Sequence, residues 1–129
     1  MSCVPAPTTL RVERFTADPA ETDRFDSFDR TIVDGAVVAE IKDALFALPL
    51  AREDSFCPIS WGLRYRLTFA GSLGTVTSAV VEADGCRWAQ LGPSDVRQTD
   101  ESFWAKLAAA LGFYTRGNDL FPLPREMRR

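Results

Sequence analysis

Apolar and polar positions divide the chain into short segments of changing period. Residues 1–7 read as a linker. A strand follows over Thr8–Phe15, with Leu10 and Val12 on one face and Arg11 and Glu13 on the other. After a polar loop, a second strand over about Asp26–Val33 is expected, although its alternation is poor. The period then changes to that of a helix. Val37, Val38, Ile41, Leu45 and Leu48 recur at steps of three and four, Asp34 is placed to cap the N-terminus, and Pro49 stops the helix. "LRYRLTFA" at 63–70 returns to period two, with Leu63, Tyr65, Leu67 and Phe69 on one face and Arg64, Arg66 and Thr68 on the other. "GSLG" at 71–74 is a hairpin loop, "TVTSAVVEA" the next strand, Asp84-Gly85 a two-residue turn, and "CRWAQL" a third strand. "SDVRQ" is a short further extended piece. A last helix starts at Thr99 or Asp100, buries Phe103, Trp104, Leu107, Ala108 and Leu111, and stops at Gly112.

The order is β(β)αβββα. It predicts an α+β fold, an antiparallel sheet of four or five strands with two helices packed on one face. Residues 8–112 form the single domain, and 113–129 a tail whose Phe113, Tyr114, Leu120 and Phe121 pack back partly on it. At 129 residues, 46% apolar and 26% charged, the composition suits one globular core. A net charge of −3 argues against a nucleic-acid binder. No stretch approaches the ~18 apolar residues of a membrane span. The opening "MSCVPAPTTL" has no basic region followed by an apolar core, so the sequence reads either as cytoplasmic or as a mature segment without its leader. Cys3, next to a Pro/Thr tether, would suit a lipid anchor and equally a chance thiol.

Cys57 and Cys86 raise the sharper question. Antiparallel pairing brings the start of "LRYRLTFA", the end of "TVTSAVVEA" and the start of "CRWAQL" to one end of the sheet, with about 10 Å between the two outer strands. Residues 57–63 are long enough to cross that gap. A Cys57–Cys86 disulfide is therefore sterically reasonable, and would stabilise by about 3–4 kcal/mol on the chain-entropy model. Two buried reduced thiols are the alternative. The disulfide is the preferred reading, and it places the protein outside the cytoplasm.

Other chemistry finds little footing. The chain has no His, so triads and His–metal sites are excluded within it, and three Cys do not make a zinc site. The acidic run Asp23, Asp26, Asp29 and Asp34 lacks the alternate-residue spacing of a calcium loop and reads as a solvated segment. No catalytic residue, metal or cofactor is expected. The residues left for binding are Trp61, Arg64, Arg66, Arg87 and Trp88. Trp61 sits in a Pro/Gly loop, and the three Arg form an outward row on the open sheet face. The competing reading leaves the Arg row merely solvated and puts Trp88 between sheet and helix.

The segment Asp29–Gly112 resembles a loose group of small, mostly uncharacterised exported proteins and lipoproteins of actinobacteria. The resemblance rests on Asp34 with Val37 or Val38, Leu48-Pro49, Cys57-Pro58, Gly62, Tyr65, Leu67, Phe69, Gly85-Cys86, Phe103-Trp104, Leu107 and Leu111-Gly112. It implies export and a paired cysteine, and no activity. The missing leader and the long segment 13–28 depart from the pattern. The resulting expectation is a secreted or envelope-associated, non-enzymatic module, inhibitory in one version, that binds an unknown protein or envelope component. The alternative is an intracellular partner-binding protein of immunity or antitoxin type, with reduced cysteines.

Overall fold

The computed structural model describes residues 7–52, 57, 62–113, 120–122 and 126. The elements run β1 (Thr9–Thr16), β2 (Asp29–Ile32), α1 (Gly35–Phe46), β3 (Leu63–Gly71), β4 (Gly74–Glu82), β5 (Trp88–Gly92), β6 (Asp95–Gln98) and α2 (Glu101–Leu111), with a 3-10 turn at Pro19–Arg24 between β1 and β2. They build one antiparallel sheet in the order β2-β1-β3-β4-β5-β6. The class is α+β, as the sequence predicts. The sheet has six strands rather than four or five, because Asp95–Gln98 of "SDVRQ" pairs with β5 and Asp29–Ile32 pairs with β1.

Period-two alternation decides which face is covered. Leu63, Tyr65, Leu67 and Phe69 of β3 are buried, together with Leu10 and Val12 of β1, Ala79 and Val81 of β4 and Ala89 of β5. Cross-strand register places them side by side: Leu10 opposite Phe69, Val12 opposite Leu67, Tyr65 opposite Val81, and Val81 opposite Ala89. Val38, Ile41 and Leu45 of α1 and Phe103, Trp104, Leu107, Ala108 and Leu111 of α2 close the same core.

The helix ends are satisfied from two directions. Asp34 accepts from the N–H groups of Ala36 (3.1 Å) and Val37 (3.3 Å), and Asp100 accepts from Phe103 N–H (2.8 Å). Both carboxylates sit where the helix dipole favours negative charge. The C-terminal carbonyls are met by arginines from the two edge strands. Arg97 of β6 donates to Phe46 O (3.1 Å) and Leu48 O (2.9 Å) at the end of α1, and Arg30 of β2 donates to Leu111 O (2.9 Å) at the end of α2. The two helices therefore finish over opposite edges of the sheet. The chain after α1 then runs along the outside of β6, with Gln98 N–H donating to Pro49 O (2.8 Å) and Ala51 N–H to Val96 O (2.9 Å). That pairing caps an edge that would otherwise offer a free row of backbone groups.

The hairpin β3–β4 turns through Ser72 and Leu73, with Gly71 opposite Gly74. Between β4 and β5 the expected two-residue Asp84-Gly85 turn is not formed. The connection is five residues long, 83–87, and β5 starts at Trp88 rather than Cys86. Asp84 is drawn away from a tight hairpin because its carboxylate accepts from Leu63 N–H (3.3 Å), while Arg87 N–H donates to Asp84 O (3.1 Å). Gly85 and Arg87 both take positive φ, 65° and 54°. Cys86 lies in this turn and is bonded to Cys57, with their Cα atoms 4.7 Å apart across a separation of 29 residues.

Two stability changes follow. Arg97→Met removes the one charged group whose Nη1 meets both carbonyls at the end of α1, together with its Asp95 pair, and should lower stability by about 1.5–3 kcal/mol in urea unfolding. Replacing both Cys57 and Cys86 by Ser should cost about 3–4 kcal/mol in the same measurement, mostly through the freer unfolded chain.

Candidate functional site

The helix-free face of the sheet carries the side chains that alternation turns away from the core. They form a grid. One row crosses the sheet as Phe15 (β1), Arg64 (β3), Glu82 (β4), Trp88 (β5) and Gln98 (β6). Glu82 and Trp88 are neighbours there because Val81 pairs Ala89 one position along, and Trp88 N–H donates to Glu82 Oε1 (3.1 Å). The next row runs Glu13, Arg66, Val80, Gln90 and Val96. Arg11, Thr68 and Ser78 make a third, flanked on β2 by Thr31, with Asp29 beside Glu13.

Charge on this face is paired rather than uniformly basic. Arg64 Nη2 lies 3.7 Å from Glu82 Oε2. Arg11 grips Asp29 with two parallel bonds, Nε to Oδ1 at 3.0 Å and Nη2 to Oδ2 at 2.7 Å, and also approaches Glu13 at 3.5 Å. Those hydrogen bonds hold the Asp29 carboxyl below its ordinary value, against a smaller opposing effect of desolvation. Arg66 instead lies over the Phe15 ring, 4.8 Å from its centroid. This is a cation–π contact that leaves the guanidinium exposed. Arg64 Nε and Trp88 Nε1 are each enclosed with no hydrogen-bond acceptor among the described residues.

Of the residues singled out in the sequence, Arg64, Arg66 and Trp88 are brought together here. Trp88 faces away from the helices, since its neighbour Ala89 is the one that enters the core. Arg87 does not join the row. Its positive φ swings it to the helix side, where its guanidinium lies 4.0 Å from the Phe121 ring centre and Nε donates to Ala83 O (3.2 Å). The sequence offered no cue for that φ, because Arg is not a residue that favours it. Trp61 and Cys3 lie outside the described residues. Phe15 and Glu82, which flank the row, were missed as site residues. Phe15 shares its parity with Arg11 and Glu13, so the signal was present.

Two of the four acidic residues read as a solvated run have structural roles. Asp29 pairs with Arg11, and Asp34 caps α1. Among the described residues no three Cys, Asp or Glu side chains gather as a metal site would need. No described helix is long and apolar enough to cross a membrane. A groove of about 380 Å³ lies between α1 and α2, floored by Val37, Ile41, Ala105 and Ala109 and spanned by the Lys106–Glu40 pair at 3.4 Å. Its lining is mostly apolar, with Ser102 as its remaining polar side chain. No family model, curated protein or solved structure matches this chain.

The Arg11–Asp29 pair gives a direct check on the grid. In an NMR titration Asp29 should protonate below the ordinary carboxylate range, and in Arg11→Gln its midpoint should rise back toward that range. The folded-state value is depressed, so the pair's contribution is present above the unfolded pKa and is lost as pH falls through the folded one.

Proposed function

We propose that this is an exported, non-catalytic domain that binds a protein or envelope macromolecule through the helix-free face of its sheet. The observation that carries the reading is the row Phe15–Arg64–Glu82–Trp88. It sets two aromatic rings on either side of a charge pair, on a face that no described helix covers. A solvated sheet face is ordinarily polar in its alternate positions. Here Phe15, Val80, Trp88 and Val96 occupy such positions and are only half-buried. Aromatic residues and Arg are enriched in protein contact surfaces, and Trp and Arg carry a large share of their energy. The mixed charge favours a partner with interspersed donors and acceptors over a polyanion. The Cys57–Cys86 bond supports an oxidising compartment. A lipid on Cys3 would hold the domain beside the envelope.

Two measurements test the two halves of this reading. In the denatured, unreduced chain at most one thiol should react, that of Cys3 where it carries no lipid; three reactive thiols would overturn the exported assignment and favour the immunity-type alternative. Retention of the protein by an envelope fraction from its source should fall by about tenfold or more in Trp88→Ala and in Phe15→Ala, with folding unchanged by circular dichroism. Equal retention of wild type and both variants would remove the face from consideration.

A further inference from the structure

The two margins of the sheet are finished differently. Along β6 the chain's own residues 49–51 pair with the outer side of the strand. β2 is the other margin, and no described residue pairs with its outer side. Alternation decides which of its backbone groups are free. Opposite residues of an antiparallel pair exchange both bonds only at every second position. Arg14 N–H donates to Phe28 O (2.9 Å), so Arg30 and Ile32, at the same parity, are the residues of β2 that bond to β1, opposite Val12 and Leu10. On the other side of β1, Ala17 N–H donates to Gly62 O (2.8 Å), which commits the odd-numbered residues of β1 to β3. The N–H and C=O groups of Asp29, Thr31 and the adjoining Val33 therefore point away from the sheet.

An open edge is ordinarily guarded by charge or by proline. β2 has no proline, and both of its charges are engaged within the domain. Asp29 is held by Arg11, and Arg30 donates to Leu111 O at the end of α2. Thr31 and Val33 are exposed, Val33 to 75%.

We propose that β2 is a self-association edge, at which a second copy of the chain adds its own β2 antiparallel and the two sheets become one. The order of residues selects the register. With Thr31 on the two-fold axis, Thr31 faces the second copy's Thr31, Asp29 faces its Val33, and Arg30 faces its Ile32. Every outward-pointing residue then exchanges bonds, no like charges meet, and the central threonine pair is a favourable cross-strand combination. Sliding two residues one way sets the two Arg30 side chains against each other, at a non-hydrogen-bonded position where opposite residues come closest. Sliding two residues the other way leaves Asp29 outside the pairing. Thr31 lies on the helix-free side with Arg11, so the axis stands perpendicular to the sheet and both helix-free faces look the same way. The contact is closed, because each copy uses its one uncovered margin and the β6 margin is already taken. It stands independently of the partner binding proposed above, and brings two Phe15–Trp88 rows onto one side of the dimer.

The test uses the full, oxidised chain. In sedimentation equilibrium the mass should rise from 14.3 kDa toward twice that value as the protein is concentrated from about 10 μM to about 0.5 mM. The Thr31 amide, which makes no bond within one copy, should become protected from hydrogen exchange over the same range. Thr31→Pro removes that outward donor and leaves the bonds to β1 in place, so it should stay folded by circular dichroism and remain monomeric. Val33→Asp, at an exposed position that tolerates it should the proline disturb β2, sets like charges opposite each other at both ends of the pairing and should weaken association severalfold. A mass that stays at one chain across this range overturns the proposal. A dimer whose Thr31 amide exchanges freely, or one that both folded variants leave intact, overturns it equally, since either result puts the contact elsewhere.

Discussion

Burial on one face only is the constraint from which the rest of this structure follows. The nine residues of β3 alternate so that Leu63, Tyr65, Leu67 and Phe69 are dry and Arg64, Arg66 and Thr68 are not. A sheet of that kind must receive both helices on the same side. Once it does, the helices end over the strands at its margins, and the unsatisfied carbonyls at those ends come within reach of the margins' own side chains. Arg30 and Arg97 fill that role from positions on the covered face of β2 and β6. Each joins a helix terminus to an edge strand, where the sheet has the fewest neighbours. The cationic partner also suits the negative end of the helix dipole.

One end of the sheet is tied more heavily than the other. The Cys57–Cys86 bond, the Asp84 bond to Leu63 N–H and the Thr99 bonds to Arg87 O all fall around the β4–β5 connection. Gln98 Nε2 adds a bond to Cys86 O at 2.9 Å. A non-glycine residue at φ 54° costs on the order of 1 kcal/mol, and this set of bonds over-determines the conformation. The turn is therefore rigid where a two-residue hairpin would have been merely short. The extra residues let Arg87 leave the plane of the sheet and Trp88 begin β5 on the opposite face.

The period-two and period-three-to-four patterns were enough to place both helices, their buried stripes and the central strands. These are signals that local residues alone generate. What was not legible depended on partners distant in sequence. β6 looks like loop until β5 lies beside it, and its four residues are each only half-buried. The turn at 83–87 defeats the Asp-Gly rule because Asp84 has a better partner at Leu63, 21 residues earlier. The outward row was legible in part: the parity of β3 exposes Arg64 and Arg66. Register then supplies Glu82 and Glu13 opposite them, and the basic strip becomes a neutralised grid. Arg14 reads as a surface residue from its type, yet it stands on the covered side opposite Tyr65 and bonds its hydroxyl.

Tyr65 and Trp88 show how the two faces differ in what they ask of a polar atom. The Tyr65 hydroxyl is fully enclosed, and the chain provides it with a charged donor and a backbone acceptor. Such a group would otherwise cost about 1–3 kcal/mol. On the opposite face Trp88 Nε1 and Arg64 Nε are enclosed without an acceptor among the described residues. The Tyr65 hydroxyl is thus satisfied on both sides, whereas these two enclosed donors on the helix-free side meet no acceptor among the described residues. Natural folds tolerate few such groups, and those that persist tend to coincide with places where the chain has a use beyond its own stability. The asymmetry sets the row at Phe15, Arg64, Glu82 and Trp88 apart from the solvated remainder of the grid, where Arg11 and Asp29 already complete one another.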